Sequence, residues 1–318
     1  MKKLVMAALL LAGFSAKAQV DADKAAGIKS IYTEALGGQQ GYEWLKYMCE
    51  EIGPRPSGSE AANEAARWAM REMLNAGADT AWLQEVEVPK WYRGAEWSKA
   101  YAGREPIALP TTALGGSVPT PKEGVRAEVV EVGSFAELEA LGREGLEGKI
   151  VFYNTYMDHS LISTFNAYGG AVKYRWAGAM EAGKYGAIAT VLRSVTLLRD
   201  DLPHTGAMSY GDSEVKIPSA AISWQAADML SAMLQGGNVE LELFLDCGVQ
   251  GTATNYNVIA DFKGTDKANE IMLVGGHIDS WDLGQGAQDD GADLRILVGF
   301  ANRIDHGGGA DRAAAHQG

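Results

Sequence analysis

One histidine and four aspartates fall within fourteen residues in the last part of this 318-residue chain. They are interleaved with glycines and follow the apolar run 271–274; in order they are His277, Asp279, Asp282, Asp289 and Asp290. The apolar run predicts a buried strand. Open α/β sheets place their sites beyond the carboxyl ends of such strands, so we treat residues 277–289, named the site loop below, as the candidate centre of the chemistry.

Imidazole and carboxylate together form a ligand set that suits Zn²⁺ and similar divalent ions. His277 and Asp279 are too close in sequence for both to reach one ion easily. We therefore predict that His277 binds the metal and that Asp279 holds the other ring nitrogen. Asp289, brought back by a glycine-rich loop, is the predicted second ligand. The alternative is a solvated acidic loop with a capping aspartate and an incidental histidine.

The order of residue types in this segment is a more specific signal of its function than the spacing of the candidate ligands. It reads Gly-His-Ile-Asp-Ser-Trp-Asp-Leu-Gly-Gln-Gly-Ala, followed by Gln-Asp-Asp-Gly-Ala. This resembles the metal-binding segment of the M28 family of di-zinc aminopeptidases and carboxypeptidases, and most of all its carboxypeptidase Q branch. One departure is Asp293, where the family has glycine.

The resemblance implies two Zn²⁺ ions in a complete site. It implies that His277 binds one ion and that Asp289 bridges both. Asp279 becomes the residue that orients His277. Asp290, ahead of Gly291, is expected to shape the loop through a strained peptide bond.

Composition excludes one class of partner and suggests a compartment. The net charge is −13, and without a basic excess to neutralise phosphates we predict no nucleic-acid partner. Residues 1–18 have the pattern of a signal peptide: positively charged residues at the N-terminus, an apolar run over 4–14 and the small-residue cleavage site Ala16-Lys17-Ala18. The run is short for a bilayer, so we expect a secreted or periplasmic protein without membrane association after signal removal.

The chain after the signal peptide divides into four expected parts. Residues 19–114 are the N-terminal part of a peptidase domain, and residues 115–250 resemble a protease-associated insert. Residues 251–292 return to the peptidase domain with the site loop, and 293–318 form an atypical Gly/Ala-rich tail. The expected fold is α/β: a zinc-exopeptidase-type mixed sheet flanked by helices and interrupted by a β-rich α/β insert, with the catalytic domain incomplete.

Local patterns predict the elements around the site. A helix is expected over 60–76, capped by Ser57 or by Ser59. The strand 255–262 is expected to pair with 271–274 as a hairpin at a mixed edge of the sheet. Arg55 lies in Gly-Pro-Arg-Pro-Ser-Gly-Ser, which also resembles the carboxypeptidase Q branch; we interpret it as a structural turn whose arginine pairs locally.

Several side chains keep two interpretations. His204 and Trp281 are candidate substrate contacts, although a loop histidine with a local hydrogen bond is the alternative for His204. Cys49 and Cys247 are the only cysteines. Export permits a disulfide between them, and two buried free thiols are the alternative.

Part of the expected machinery is not in the sequence. The resemblance implies a Glu–Glu pair well beyond Asp289, one glutamate being the general base, and then a further Asp and His; none is present. We therefore expect a C-terminally truncated or frame-shifted chain that departs from the family after residue 292. Sequencing the coding region beyond that point tests this.

The function predicted from these observations is that of an exported co-catalytic zinc exopeptidase acting on short peptides. Because the general base is missing, we expect this particular chain to be an inactive fragment. A non-catalytic binding protein that keeps the fold is the main alternative, and a poorly folded truncated product is another. A homodimer is left open.

Overall fold

The computed structural model describes residues 22–103, 105–264, 267 and 269–289. The predicted signal peptide, Asp290, Gly291 and the tail 293–318 lie outside the described residues. Helical elements open the described chain: α1 Ala22–Gly37, α2 Gln40–Tyr47, the π-helical turn Met48–Ile52 and α3 Glu60–Asn75. Helix α3 agrees with the helix expected from the sequence over 60–76.

Helix α3 begins where its sequence supplies a cap. The side chain of Ser59 accepts a hydrogen bond from the backbone N–H of Ala62 at 3.1 Å, which satisfies one of the free donors at the helix start. Of the two expected caps, Ser59 is therefore the one used. The helix buries a narrow apolar face made of Ala62, Ala65, Ala66, Trp68 and Ala69.

Eight strands form one mixed sheet in the order β2-β1-β8-β4-β5-β6-β7-β3. The run β4 to β7 is parallel, and the pairs involving β1, β2, β3 and β8 are antiparallel. The strands are β1 Thr80–Tyr101, β2 Ile107–Leu109, β3 Thr111–Ala113, β4 Val125–Val132, β5 Ile150–Tyr153, β6 Ala189–Arg193, β7 Ser219–Ile222 and β8 Glu240–Asp261. The expected mixed α/β sheet is confirmed.

Helices cover both faces of the parallel part of the sheet. They are α4 Phe135–Leu146, α5 Thr164–Lys184 and α6 Trp224–Gln235. In β5, Ile150 and Phe152 pack with α6, whereas Val151 and Tyr153 face α4 and α5. Because neither face is left to water, the strand reads as one continuous apolar run, as parallel strands do.

Strands β1 and β8 form a long antiparallel ribbon, and the ribbon overturns one local prediction. Their pairing runs from Thr80 opposite Asp261 to Tyr101 opposite Glu240, with register shifts between Pro89 and Trp91 and between Arg93 and Glu96. The partner of the segment 255–261 is thus β1. The expected hairpin between 255–262 and 271–274 is wrong.

The apolar run 271–274 is not a buried strand either. Ile271 is 93% exposed and Leu273 is 90% exposed, and no strand is assigned there. Apolar composition makes a strand only where a partner backbone and a buried face are present. The described part of the chain provides neither for this run.

The expected domain boundaries run through shared structure. Residue 115 lies between β3 and β4, which belong to the same sheet, and the expected boundary at 250/251 falls inside β8. The division into a peptidase part and an insert stays a prediction. Across the described residues, no helix has the length and apolar character needed to cross a bilayer.

Both cysteines are free and buried. Burial raises the pKa of Cys247 to about 11, and it also raises the pKa of Cys49, where Arg55 partly opposes it. Since the thiolate is the reactive form, we expect iodoacetamide at pH 8 to modify the folded chain on the order of 100-fold more slowly than the urea-unfolded chain. Equal rates, or a disulfide-linked peptide in a digest, would contradict free buried thiols.

Candidate functional site

The imidazole of His277 joins the two ends of the site loop. Its Nε2 lies 2.8 Å from Oδ1 of Asp289, twelve residues further along the chain. Its Nδ1 lies 2.9 Å from the backbone oxygen of Asp279 and 3.1 Å from Oδ1 of the same residue. Each ring nitrogen thus faces one of the carboxylates that the sequence paired with it.

The electrostatics of His277 follow from this position. Partial burial acts to lower its pKa, but the hydrogen bond with Asp289 and the contacts with Asp279 outweigh burial and raise the pKa above its ordinary value. The pair of carboxylates therefore favours a positive charge at the ring. A cation bound between Nε2 and Asp289 would find the same electrostatic environment.

The side chain of Arg55, which we expected to pair locally, instead holds the site loop from inside. Only one of its bonds is local, from Nη1 to the oxygen of Gly53 at 3.2 Å. The others cross more than 220 residues: Nε donates to the oxygen of Ile278 at 2.5 Å, Nη1 to Gln285 at 2.8 Å and Nη2 to Gly286 at 3.0 Å. The local interpretation is wrong.

The site-loop residues that Arg55 bonds lie between the two candidate ligands in sequence and close to each of them. Ile278 follows His277 directly, and Gln285 and Gly286 come shortly before Asp289, so one guanidinium gathers both limbs of the loop. Arg55 is fully buried, and burial lowers its pKa while the negative charge of Asp279 acts in the opposite direction. The planar fork of arginine matches three separate carbonyls in a way that a lysine ammonium does not.

The turn that carries Arg55 is fixed to β8. Asn255 accepts a hydrogen bond from the N–H of Gly58 at 2.5 Å and donates to Asn63 of α3 at 2.7 Å. Gly58 has φ +85°, and a Cβ there would lie 3.0 Å from Cα of Lys90. The glycine is needed both for its backbone conformation and for the close approach to β1.

A second arginine reaches the loop from the sheet. Arg93 of β1 contacts Asp282 at two points, Nε to Oδ2 at 2.7 Å and Nη2 to Oδ1 at 3.2 Å. The side chain of Arg93 is almost fully buried and that of Asp282 is partly exposed. The middle of the site loop is therefore tied to the sheet as its two ends are tied to Arg55.

A cleft of about 260 Å³ opens beside His277 and Asp289. Its walls are mostly apolar or small and are formed by Pro56, Ser57, Pro89, Trp91, Gly115, Gly116, Asp279, Ser280 and Trp281. Trp281 packs so closely on Gly115 that a Cβ at that glycine would overlap the indole ring. Trp281, a candidate substrate contact, thus lines the cleft.

His204 is not part of that wall. Its backbone N–H donates to Oγ of Ser194 at 2.8 Å, while its neighbour Thr205 bonds Arg93 at 3.1 Å. Among the residues that the structure describes, no cluster of three or more His, Cys, Asp or Glu side chains is arranged to hold a metal. The described loop therefore supplies a histidine–carboxylate pair rather than a full coordination shell.

Sequence reasoning missed Arg55 and Arg93 because both act across long distances in the chain. The rigid Gly-Pro-Arg-Pro setting of Arg55 was a signal, since a constrained turn can aim a side chain. For Arg93 the only sign was Gly94, which allows β1 to approach β8 so closely that a Cβ would overlap Asp246. Neither sign identifies a partner in the site loop.

Comparison with known proteins gives one family. The model of peptidase family M28 matches residues 257–313, which include the whole site loop. The match runs past residue 292 and gives no support to a departure from the family directly after it. Carboxypeptidase Q of Xenopus laevis is 39% identical over 267 residues, covering 83% of this chain and 55% of that protein.

Solved structures with a similar fold include a member of the same family. The crystal structure of a peptidase M28 precursor from Shewanella amazonensis SB2B has a TM-score of 0.82 at 35% identity, covering 87% of this chain and 62% of that one. A zinc aminopeptidase from Bacillus subtilis shares the fold with a TM-score of 0.55 at 20% identity, over 82% of this chain and 56% of that one. The chain spans about half the length of the curated relatives it matches.

Proposed function

This chain belongs to peptidase family M28, and on that premise we propose that it carries the site-loop part of a zinc exopeptidase centre. His277 and Asp289 are the proposed zinc ligands, with Asp289 bridging two ions in a complete site. Asp279 is the proposed orienting residue. Asp290 and Gly291, which shape the loop in this proposal, lie outside the described residues.

One observation supports the proposal above the others. Nε2 of His277 and Oδ1 of Asp289 meet at 2.8 Å, while Nδ1 is engaged by Asp279. An imidazole whose second nitrogen is held by a carboxylate is the common arrangement of histidine ligands for zinc. The donor types and their convergence fit Zn²⁺, and further ligands must complete its shell.

The residues of this chain then have separate tasks. Asp279 accepts from Nδ1–H and so fixes the tautomer that leaves the Nε2 lone pair available. Without metal, Nε2 and the Asp289 carboxylate share a hydrogen bond; with zinc bound, both would give a lone pair to the ion, and Arg55 keeps the two limbs together. Bound zinc supplies Lewis acidity and activates water for attack on a peptide carbonyl.

The cleft suggests where a substrate lies. Its apolar walls suit a side chain of a short peptide, and Trp281 is the proposed contact. His204 stays a weaker proposal, since it is not part of the cleft wall. A secreted or periplasmic location is proposed from the signal pattern of residues 1–18.

We expect little or no hydrolysis from the 318-residue chain alone. Its described residues supply two ligands and no general base, and removing such groups costs an enzyme many orders of magnitude in rate. The same observation supports a second candidate, a non-catalytic binding protein that keeps the M28 fold. The two candidates differ in whether metal is bound at the loop.

Calorimetric titration with Zn²⁺ tests the proposal, together with hydrolysis of dipeptides and amino-acid amides. We expect the wild-type chain to bind zinc and His277→Ala to bind at least about 100-fold more weakly, since a direct ligand matters more than its supporting partners. His159→Ala is the control, because His159 is exposed and outside the site loop. Equal binding by wild type and His277→Ala would overturn the assignment, and a folded chain without zinc binding would favour the second candidate.

Asp279→Asn is expected to weaken zinc binding by roughly 10-fold, the lower end of the range for residues that orient a ligand. The loss is limited because the backbone oxygen of Asp279 also contacts Nδ1. Competition titration against a chromophoric chelator measures it. Asp158→Asn, in an exposed turn with Ser160, is the matched control; an equal loss in both variants would contradict the role of Asp279.

A further inference from the structure

Arg93 lies where four segments of the chain meet. Its guanidinium contacts the site loop, its own strand, β3 and the loop that follows β6, through Asp282, Glu96, Thr112, Ala113 and Thr205. The distances lie between 2.7 and 3.2 Å. The segments it joins include 115–250, the expected insert, through Thr205.

The attachment point on the site loop lies between the candidate ligands. Asp282 comes five residues after His277 and seven before Asp289. The side chain of Arg55 bonds Ile278, Gln285 and Gly286, and its backbone exchanges two hydrogen bonds with Ser280, each at 3.2 Å. Asp282 itself is held by the two-point contact with Arg93, whose geometry requires both the charge and the fork of arginine.

A second contact reinforces the same attachment. Trp281, next to Asp282, packs on Gly115, two residues after the end of β3. Gly115 in turn pairs with Ala207 in an isolated bridge. Glu96 joins the network by accepting from Arg93 at 3.0 Å and from the N–H of Ala113 at 2.8 Å. The loop is therefore docked on a preformed surface in which the 203–207 segment takes part.

We propose that Arg93 is a positioning residue for the metal site, acting through Asp282 so that the spacing of His277 and Asp289 depends on the 203–207 segment and β3. This rests on the proposed zinc-binding function. Arg93 touches neither candidate ligand. Its effect is to restrict the conformations of the site loop before metal binds.

The test is a double-mutant cycle on the whole chain with two readouts. Co²⁺ titration followed by visible absorption reports ligand geometry, and hydrogen exchange of backbone amides 277–289 in the metal-free chain reports loop order. We expect Arg93→Met and Asp282→Asn each to weaken Co²⁺ binding by roughly 10-fold, as for residues that support a ligand. The double variant is expected to be no weaker than either single one, because the two residues act as a pair.

Matched variants separate positioning from general stability. Arg126→Met removes a guanidinium that pairs with Glu240 on the surface of the same sheet, and it is expected to bind Co²⁺ like wild type. Arg93→Lys keeps the charge without the fork and is expected to give an intermediate loss. All comparisons are made at a temperature where circular dichroism shows each variant folded.

The outcomes distinguish this inference from the function it rests on. If wild type binds metal and Arg93→Met binds equally well with unchanged exchange, the positioning role is wrong and the zinc site stands. If wild type binds no metal, the proposed function fails, and exchange still decides whether Arg93 orders the loop. Additive losses in the cycle would also contradict the inference.

Discussion

Replacing Arg55 with methionine is expected to lower the free energy of unfolding by about 2–4 kcal/mol. Three partly buried hydrogen bonds from Arg55 to site-loop carbonyls are lost. A fully buried unsatisfied acceptor costs roughly 1–3 kcal/mol, so each of these costs toward the lower end, and removal of the buried charge offsets part of the loss. Urea titration of the variant and the wild type measures the difference. Arg55→Lys is expected to recover little, because one ammonium cannot match the three carbonyl positions.

Arg67→Met is the control for this prediction. Arg67 pairs with Glu60 on the exposed side of α3, and its loss is expected to stay within about 0.5 kcal/mol, as for most surface substitutions. Zinc titration under folding conditions supplies a second readout, in which Arg55→Met weakens binding and Arg67→Met does not. Similar unfolding curves and zinc affinities for both variants would show that Arg55 does not hold the loop.

Gly286→Ala is expected to cost about 2–5 kcal/mol in the ordered site loop. Gly286 has φ +65°, where a side chain costs roughly 1–2 kcal/mol. Its Cβ would overlap the side chain of Ser280 and lie 2.8 Å from Nη1 of Arg55, and overpacking of this kind costs about 1–3 kcal/mol. Faster hydrogen exchange across 277–289 and weaker zinc binding would both follow.

Gly284→Ala offers a control two residues away. A Cβ at Gly284 has no neighbour within 4 Å and its backbone is not in the left-handed region. We expect its exchange pattern and zinc affinity to equal those of wild type. If both alanine variants behaved alike, the loop would not be held in the conformation described here.

The residue types of the candidate site were readable in the sequence because they are local. His277, Asp279 and Asp289 lie in one short segment, and a short glycine-rich loop can bring its own ends together. The structure places each ring nitrogen of His277 against the carboxylate expected for it. Their roles as ligands stay a proposal that zinc titration decides.

The supports of the site were not readable because they depend on tertiary pairing. Nothing in the sequence near Arg55 points to Gln285, and nothing near Arg93 points to Asp282. The same limit explains the run 271–274, whose apolar residues predicted burial although the described chain gives them no partner strand. A local pattern predicts that a segment can form a strand, and the tertiary fold decides whether a partner strand and a buried face are present.

The short buried strands were the easy part of the fold. All four residues of β5 are buried. A short continuous apolar run of this kind is typical of a strand that is buried on both faces. For the long strand β8, the sequence predicted the end, 255–262, but not the full length, because the strand is 22 residues long and only partly buried. Residues 249–252 of β8 are exposed on both faces, so the apolar–polar alternation that indicates a strand is lost there.

The ribbon of β1 and β8 also makes the segment between them a detachable module in design terms. Tyr92 lies opposite Gly248 part-way along the ladder, so the two strands are neighbours there before the ribbon continues to Tyr101 and Glu240. A short turn joining these positions would convert the ribbon into a plain hairpin and shorten the 318-residue chain by almost half. Such a minimal protein would keep the Arg55 turn and the site loop but lose the surface on which Trp281 and Asp282 dock, and so would separate the part that carries the ligands from the part that aims them.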